Sequence, residues 1–560
     1  MAKRKKSAHR SQTAFAGIRS AIRRHEKELL ALPNVIEVRP GFKFTGGWIT
    51  EQPAIVLTVL RKLPPDELKP KQHIPAEVDG IPTDVAPASP AEQLQHLGPK
   101  TRGFRAAPPV PELYLPGVDR EQGSGTRGAL RGLGANNKNY KKPPKLQLKE
   151  VNDTVNLICH ASPDAGWPKL REFLGGIKSH FTFAMYDFTA THVFKSLKDS
   201  MVAAKGELQV CYDAKGSSER AGEMSEAEVM EGLQRSLKKR CQIAKAGVGV
   251  LFPNAYHIKV AVRDSKAFWI SSGNWQGSNQ PDADASKLAV ADQRKLLTGR
   301  NREWHVIAEH PGLAQMFEKY IQWDMSEAAR VASRGELSPQ APEPDLFVKP
   351  ELLTRAAPTP VQIFPPLVLK ATKVRIQPLL SPDNYGDFIV PLIKSAKKTL
   401  YFQNQYILYG PNGGVLDKLV DAMHDRIKHG VDVKIILRDG DTRKMLEALQ
   451  NKGFRADQIK LQRGCHNKGI VIDSKVAVVS SQNWSGDGVQ FNRDAGLIMY
   501  HPAIAKYYEK IFLYDWNNRA RQKATAETAM PSVVPPAAAR GKKRALPSLD
   551  KISWSDFHGD

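Results

Sequence analysis

One stretch occurs twice in this chain, and the duplication constrains everything around it. From residue 257 the sequence reads HIKVAVRDSKAFWISSGNW, and from residue 466 it reads HNKGIVIDSKVAVVSSQNW. Both follow one rule: His, any residue, Lys, four residues, Asp, six residues, then Ser-Ser-any-Asn-Trp. The pairs His257/His466, Lys259/Lys468, Asp264/Asp473, Ser271/Ser480, Ser272/Ser481, Asn274/Asn483 and Trp275/Trp484 all stand 209 residues apart. Agreement in register over nineteen positions is not chance. It calls for two copies of one folding unit, each carrying the same reactive groups.

The flanking sequence repeats as well. Residues 155–188 parallel 374–407, with Ser162-Pro163-Asp164 echoing Ser381-Pro382-Asp383. Each copy reads as strand, turn, helix, strand, then a further helix and strand before the repeated stretch. The apolar runs VAV, AFWI, IVI and VAVV within it read as adjacent buried strands. Residues 309–324 and 500–515 close the two copies as helices with an aromatic stripe, read as core packing. Strands alternating with helices predict an α/β architecture, duplicated and packed as an intrachain pseudodimer.

The expected organisation is a basic arm and helix over 1–33, with Phe15, Ile18, Ile22 and Leu29 at helical spacing. A small β-rich module follows at 34–86, and then a Pro/Gly-rich basic linker at 87–150. Repeat one spans 151–330, a connector 331–370, repeat two 371–516, and a disordered basic tail 517–560. The net charge of +24 is concentrated in the flanks: residues 1–30 and 99–150 carry +7 each, and 517–560 carry +4. That layout suits an anionic surface or nucleic acid. No run of about eighteen apolar residues predicts a transmembrane helix, and the basic N-terminus has no apolar signal core. Four scattered cysteines without a Cys-x-x-Cys argue against a disulfide framework or a zinc site. A cytoplasmic location is the default, with release by a non-classical route left open.

The repeated residue types suit phosphodiester chemistry. Two imidazoles can divide the work of nucleophile and general acid, because they titrate near neutrality. Two lysines and two asparagines can hold nonbridging oxygens as charge moves. No metal or other cofactor is required, and the carboxylates are too few and scattered for a two-metal site. Asp264 and Asp473 follow the lysines at an odd offset, which on an extended strand puts them on the opposite face. They are therefore read as structural, holding a turn or neighbouring backbone. Ser272 and Ser481 are read as supports for the reactive groups, and Trp275 and Trp484 as pocket wall or buried packing.

These paired motifs resemble those of the phospholipase D superfamily, over roughly residues 151–516. The resemblance extends to Asn301-Arg302-Glu303 and Asn492-Arg493-Asp494, where such enzymes carry an acid downstream of each motif. Asn301 follows Asn274 by 27 positions, whereas Asn492 follows Asn483 by nine, an insertion of 18 beside the expected cleft. The resemblance implies a duplicated phospholipase D-like sheet-and-helix sandwich. It implies His257 as nucleophile through a phosphohistidine, and His466 as acid and then base, though the pseudosymmetry permits the reverse. Lys259, Lys468, Asn274 and Asn483 would hold the phosphoryl group. Glu303 and Asp494 would orient the histidines, each in its own copy or across to the other.

The expected substrate is a phospholipid, cleaved to phosphatidic acid or transferred to an alcohol. Apolar residues in 186–194 and 401–409 are expected to form an acyl groove. A metal-independent nuclease is the alternative, a cardiolipin-synthase-like enzyme ranks lower for want of a transmembrane segment, and a non-catalytic polyanion-binding scaffold ranks last. Two motifs in one chain can complete one site, so catalysis does not require an oligomer.

Overall fold

Repeat one begins with the extended run VNDTVNLICHAS, whose β-branched residues favour the pleated backbone, and repeat two begins with LVLKATKVRIQPLLS. These two strands pair with each other, and that pairing joins the copies. The computed structural model describes residues 2–60, 73–89, 140–213, 222–247, 250–252, 255–333, 345–348, 360–409, 414–439, 442–522, 532–534 and 550–552, with positions 62, 68, 92, 93 and 96. The expected linker at 87–150 lies largely outside them. So do much of the connector and tail, and the side chains of residues 1–14.

The N-terminal module contains β1 (Val35–Thr45), β2 (Trp48–Val59), β3 (Glu77–Val78) and β4 (Ile81–Pro87). Repeat one contributes β5 (Val151–Ser162), β6 (His180–Met185), β7 (Glu207–Tyr212), β8 (Cys241–Lys245), β9 (Lys259–Arg263), β10 (Ala267–Ser271) and β11 (Glu303–Glu309). A short β12 (Asp345–Val348) lies in the connector. Repeat two contributes β13 (Leu367–Ser381), β14 (Thr399–Asn404), β15 (Ile407–Leu408), β16 (Asp432–Arg438), β17 (Ile459–Gln462), β18 (Lys468–Ile472), β19 (Val476–Ser480), β20 (Trp484–Ser485) and β21 (Asp494–Tyr500). The tail adds β22 (Ser532–Val534) and β23 (Asp550–Ile552), which both pair with β12. The connector, and the tail read from composition as disordered, thus contribute three short strands.

Fourteen strands run in the order β17-β16-β14-β18-β19-β21-β13-β5-β11-β10-β9-β6-β7-β8. Read outward from the central β13–β5 pair, each half repeats the other strand for strand. β5 and β13 are antiparallel, from Val151↔Ile376 to Cys159↔Leu367, with a register shift between Leu369 and Thr372. The hydrogen-bonded sheet is therefore continuous through both copies, while β9, β10 and β11 also pack against β18, β19 and β21.

The packing between the copies is not symmetric. The Trp304 ring of repeat one stacks on Tyr508 of repeat two, with centroids 4.5 Å apart, and lies over Gly469. A Cβ at Gly469 would sit 2.3 Å from the Trp304 ring. The equivalent positions in the other direction hold Ala495 and Val260. One crossing is indole over glycine, and its pseudosymmetric mate is methyl against isopropyl.

The helix Ala2–Leu30 buries Phe15, Ile18, Ile22 and Leu29 in the N-terminal module, with the Phe15 and Phe42 rings 5.2 Å apart edge to face. The module docks on the repeat-two helix Arg443–Lys452. Arg39 meets Glu447 at 2.6 Å, Arg443 meets Asp84 at 2.5 Å, and Lys444 bridges Glu37 and Glu92. With Glu447 only 2% exposed, these pairs fix which face of the module meets the repeat.

Gly469→Val should force its side chain into an indole that has no room to move, costing about 3 kcal/mol in urea unfolding. Adding Trp304→Ala recreates the Val260/Ala495 arrangement and should recover part of that loss. A double variant no more stable than the single one would contradict the packing.

Candidate active site

Within each repeat the motif's His and Lys stand where extended chain enters a buried hairpin. His257 and Lys259 are two apart, as are His466 and Lys468, so each pair shares one face of its strand. All four are at most 3% exposed. The hairpin turn follows at Asp264-Ser265 and Asp473-Ser474, all four residues with φ between 51° and 53°. Successive residues at positive φ make the tight hairpin turn that matches strand twist, and aspartate tolerates that region better than most side chains.

The aspartates lie in turns, so strand alternation does not govern them and the odd-offset argument fails for that reason. Asp473 accepts hydrogen bonds from the backbone N–H groups of Lys397 (2.9 Å), Lys398 (2.7 Å) and Thr399 (2.8 Å). Asp264 accepts from Lys178 (3.1 Å), Ser179 (2.8 Å) and His180 (3.1 Å). Partial burial pulls both carboxyls up, but these donors win and hold them below the ordinary value. Each aspartate ties its hairpin to the entry of β6 or β14.

The acids cross between copies. His257 Nδ1 hydrogen-bonds Asp494 Oδ1 of repeat two at 2.7 Å, and His466 Nδ1 lies 2.5 Å from Glu303 Oε1 of repeat one. Ser481 Oγ donates to Asp494 (2.6 Å), and Ser272 Oγ donates to Glu303 (2.5 Å). The two acids differ by one methylene, and their surroundings compensate. Beside the longer Glu303 stands Gly273, whose Cβ would fall 2.5 Å from the Glu303 carboxyl carbon. Beside the shorter Asp494, Gln482 fills the space and reaches its Oδ2 at 3.3 Å.

Lys468 Nζ lies 3.1–3.2 Å from both ring nitrogens of His466 and donates to Ser272 O of the other repeat at 3.2 Å. Lys259 Nζ donates to His257 O at 2.7 Å and lies 5.0 Å from the Tyr186 ring centroid. Tyr186 also packs edge-on against the His257 ring, with centroids 4.7 Å apart. Asn274 is fully buried with neither amide atom hydrogen-bonded, and Asn483 Oδ1 is likewise without a hydrogen bond.

Burial pushes both crossed acids up to about 7, against the pull of Lys468 and Ser272 on Glu303 and of Lys259 and Ser481 on Asp494. Burial also holds His466 well below the usual imidazole value, reinforced by Lys468, Lys259, Arg438 and His257. Low dielectric thus disfavours the fully ionised site. An anionic phosphate among the lysines would lower that cost.

Other sequence expectations fare unevenly. Trp275 packs against Phe183 and Phe188, each at 4.9 Å, and Trp484 donates its Nε1–H to Tyr385 at 3.0 Å, so both are buried packing. The acyl groove expected from 186–194 and 401–409 is not there as drawn. Phe188, Val193, Phe402 and Ile407 lie in the core: residues 181–190 and 401–405 are buried without interruption, and Val193 is on the inner face of the helix Thr191–Ala203. Tyr186, which begins one of those stretches, is a neighbour of His257 that only the fold reveals. Arg302 and Arg493 stand inside the motifs that supply the acids, and their spacing gives no sign of a role.

Residues 389–516 match the family described as "Cardiolipin synthase, PLD-like domain". A cardiolipin synthase of Clostridium perfringens (strain SM101 / Type A) is 30% identical over 131 residues, 22% of this chain and 26% of that protein. This part of the chain belongs to the phospholipase D superfamily. The chain matches about a quarter of the length of these curated relatives; a second, from C. perfringens strain 13, is 29% identical over the same span. Among solved structures it is similar to phosphatidylserine synthase of Haemophilus influenzae Rd KW20 (13% identity, 72% of this chain and 92% of that one, TM-score 0.45). It is also similar to Nuc, a phospholipase D family member from Salmonella typhimurium (20% identity, 27% and 97%, TM-score 0.23). Among the described residues no helix is long and apolar enough to cross a membrane.

Asp494 gives a stability prediction with a definite sign. Its folded-state value of about 7 exceeds the ordinary 3.8, so the folded protein binds the extra proton between those limits. Stability therefore falls as pH rises through that window. Asp494→Asn removes the titration, and its stability relative to the parent should improve by on the order of 2 kcal/mol from pH 4 to pH 8. Urea unfolding at the two pH values measures this, and a constant gap would contradict it.

Proposed function

We propose that this protein is a phospholipase D-type enzyme that transfers or hydrolyses phosphodiesters of phospholipids through a phosphohistidine. The observation that carries the reading is the 2.7 Å bond from His257 Nδ1 to Asp494. A carboxylate on Nδ1 keeps the proton there and leaves the Nε2 lone pair to attack, as it does for a triad histidine.

In the first step His257 Nε2 attacks phosphorus, the bond to the leaving alcohol breaks, and His466 protonates the departing oxygen. In the second, water or an acceptor alcohol attacks the phosphohistidine, His466 takes its proton, and the P–N bond breaks. Water gives phosphatidic acid; an alcohol gives a new phosphodiester. Lys259 and Lys468 supply positive charge, and the amide nitrogens of Asn274, whose NH2 has no hydrogen bond, and of Asn483 supply donors for nonbridging oxygens. Glu303 orients His466 as Asp494 orients His257. The cardiolipin synthase relatives support placing phosphatidyl transfer beside hydrolysis, although a cardiolipin-synthase-like role ranked low on sequence alone.

Purified protein offered phosphatidylglycerol, phosphatidylcholine and DNA should release phosphatidic acid or exchange headgroups, with chelator present. His257→Ala and His466→Ala should each cut kcat at least about 1,000-fold, and Asp494→Asn about as much by favouring the wrong tautomer. DNA cleavage without lipid turnover would replace the lipid reading with the nuclease one. Near-wild-type turnover by either histidine variant would contradict the mechanism.

A further inference from the structure

Immediately before each crossed acid stands an arginine, and neighbours on a strand face opposite ways. As Glu303 and Asp494 turn toward the histidines, Arg302 and Arg493 turn into the protein behind them, where both are wholly buried. Arg493 forms a fork on Asp324, with Nη2–Oδ1 at 2.6 Å and Nε–Oδ2 at 2.9 Å, and its Nη1 reaches Asp383 at 2.6 Å. Arg302 forms the same fork on Asp515, with Nε–Oδ2 at 2.9 Å and Nη2–Oδ1 at 3.2 Å, and its Nη1 reaches Asp164.

The partners are crossed as the acids are. Asp164 and Asp383 belong to the arginine's own repeat, whereas Asp324 and Asp515 come from the closing segment of the opposite one. The backbone follows suit: Arg493 N–H donates to Ala255 O at 3.1 Å, and Arg302 N–H donates to Gly464 O at 2.7 Å. Ala255 and Gly464 stand two residues before His257 and His466. Each arginine–acid dipeptide thus grips the opposite repeat at its closing segment, at the approach to its histidine, and at the imidazole itself.

We infer that Arg302 and Arg493 are positioning residues, holding Glu303 and Asp494 in register with the histidines of the opposite repeat. A planar fork bound at both edges fixes direction as well as distance, which a lysine point charge does not. A core ion pair serving stability alone would not need its backbone bonded to the histidine approach, nor the same four contacts in both copies. The inference deepens the proposed phosphohistidine reading, since it names what orients the two histidines of that site.

The test reads the hydrogen bond directly, so it does not depend on which substrate is turned over. A proton held between His257 Nδ1 and Asp494 should give a far-downfield proton resonance, assigned by its loss in His257→Ala. Arg493→Lys should shift or broaden that resonance and leave the His466 signal in place; Arg302→Lys should do the reverse. On any phosphodiester the enzyme accepts, kcat should fall about 10- to 100-fold with KM within about twofold, as expected for a misplaced group. Asp324→Asn keeps the side-chain shape and should reproduce the Arg493→Lys effects, deciding the matter if the lysine variant does not fold. A folded Arg493→Lys or Asp324→Asn protein with unchanged resonance and kcat, lowered only in melting temperature, would overturn the inference. Absence of lipid turnover in the parent, with the resonances behaving as described, would sink the substrate reading and leave the positioning role standing.

Discussion

The bond from His257 to Asp494 depends on two halves of the chain being held within ångströms of each other. Neither repeat can pair its histidine with an acid alone, because the carboxylate beside each imidazole comes from the other copy. The requirement reaches back into the sheet. β21 must carry Asp494 to His257 while β11 carries Glu303 to His466, and the central β5–β13 pairing sets both distances at once. A buried carboxylate and a buried imidazole each cost desolvation, and they are tolerable because they meet. The duplication therefore places two halves of one site, rather than two sites, within a single chain.

The copies have diverged in matched ways. Glu303 with Gly273 fills the volume that Asp494 with Gln482 fills on the other side, and Trp304 over Gly469 answers Ala495 and Val260. Such compensation keeps packing density constant while side-chain shape changes. The polar surroundings differ too. Tyr186 lies against His257, whereas Lys468 lies against both nitrogens of His466. The insertion after Asn274, with its helix Val290–Gly299, has only the short helix Gly486–Phe491 as counterpart. It closes on itself through Asn301 N–H to Ser278 O at 3.0 Å.

The reactive residue types were legible because their spacing recurs, and spacing is a property of sequence. His257, Lys259, His466 and Lys468 stand out from the repeat alone. The crossing of Glu303 and Asp494 was not legible, because it follows from which strand pairs with which across more than two hundred residues. Asp264 and Asp473 were read as structural through strand alternation, yet they lie in turns at positive φ and bind neighbouring backbone. The expected acyl groove failed because a run such as YDFTATHVF looks continuous in sequence, while its strand and helix geometry turns Phe188 and Val193 into the core. Arg302 and Arg493 show no role in the sequence, since only the fold brings Asp515 and Asp324 to them.

The chemistry assigned to the crossed pair leaves a covalent trace. Rapid acid-free quenching of turnover with phosphorus-labelled substrate, followed by peptide mapping, should find the label on His257 Nε2, as the Asp494 bond to its Nδ1 predicts. Label on His466, or no phosphohistidine during active turnover, would contradict that assignment.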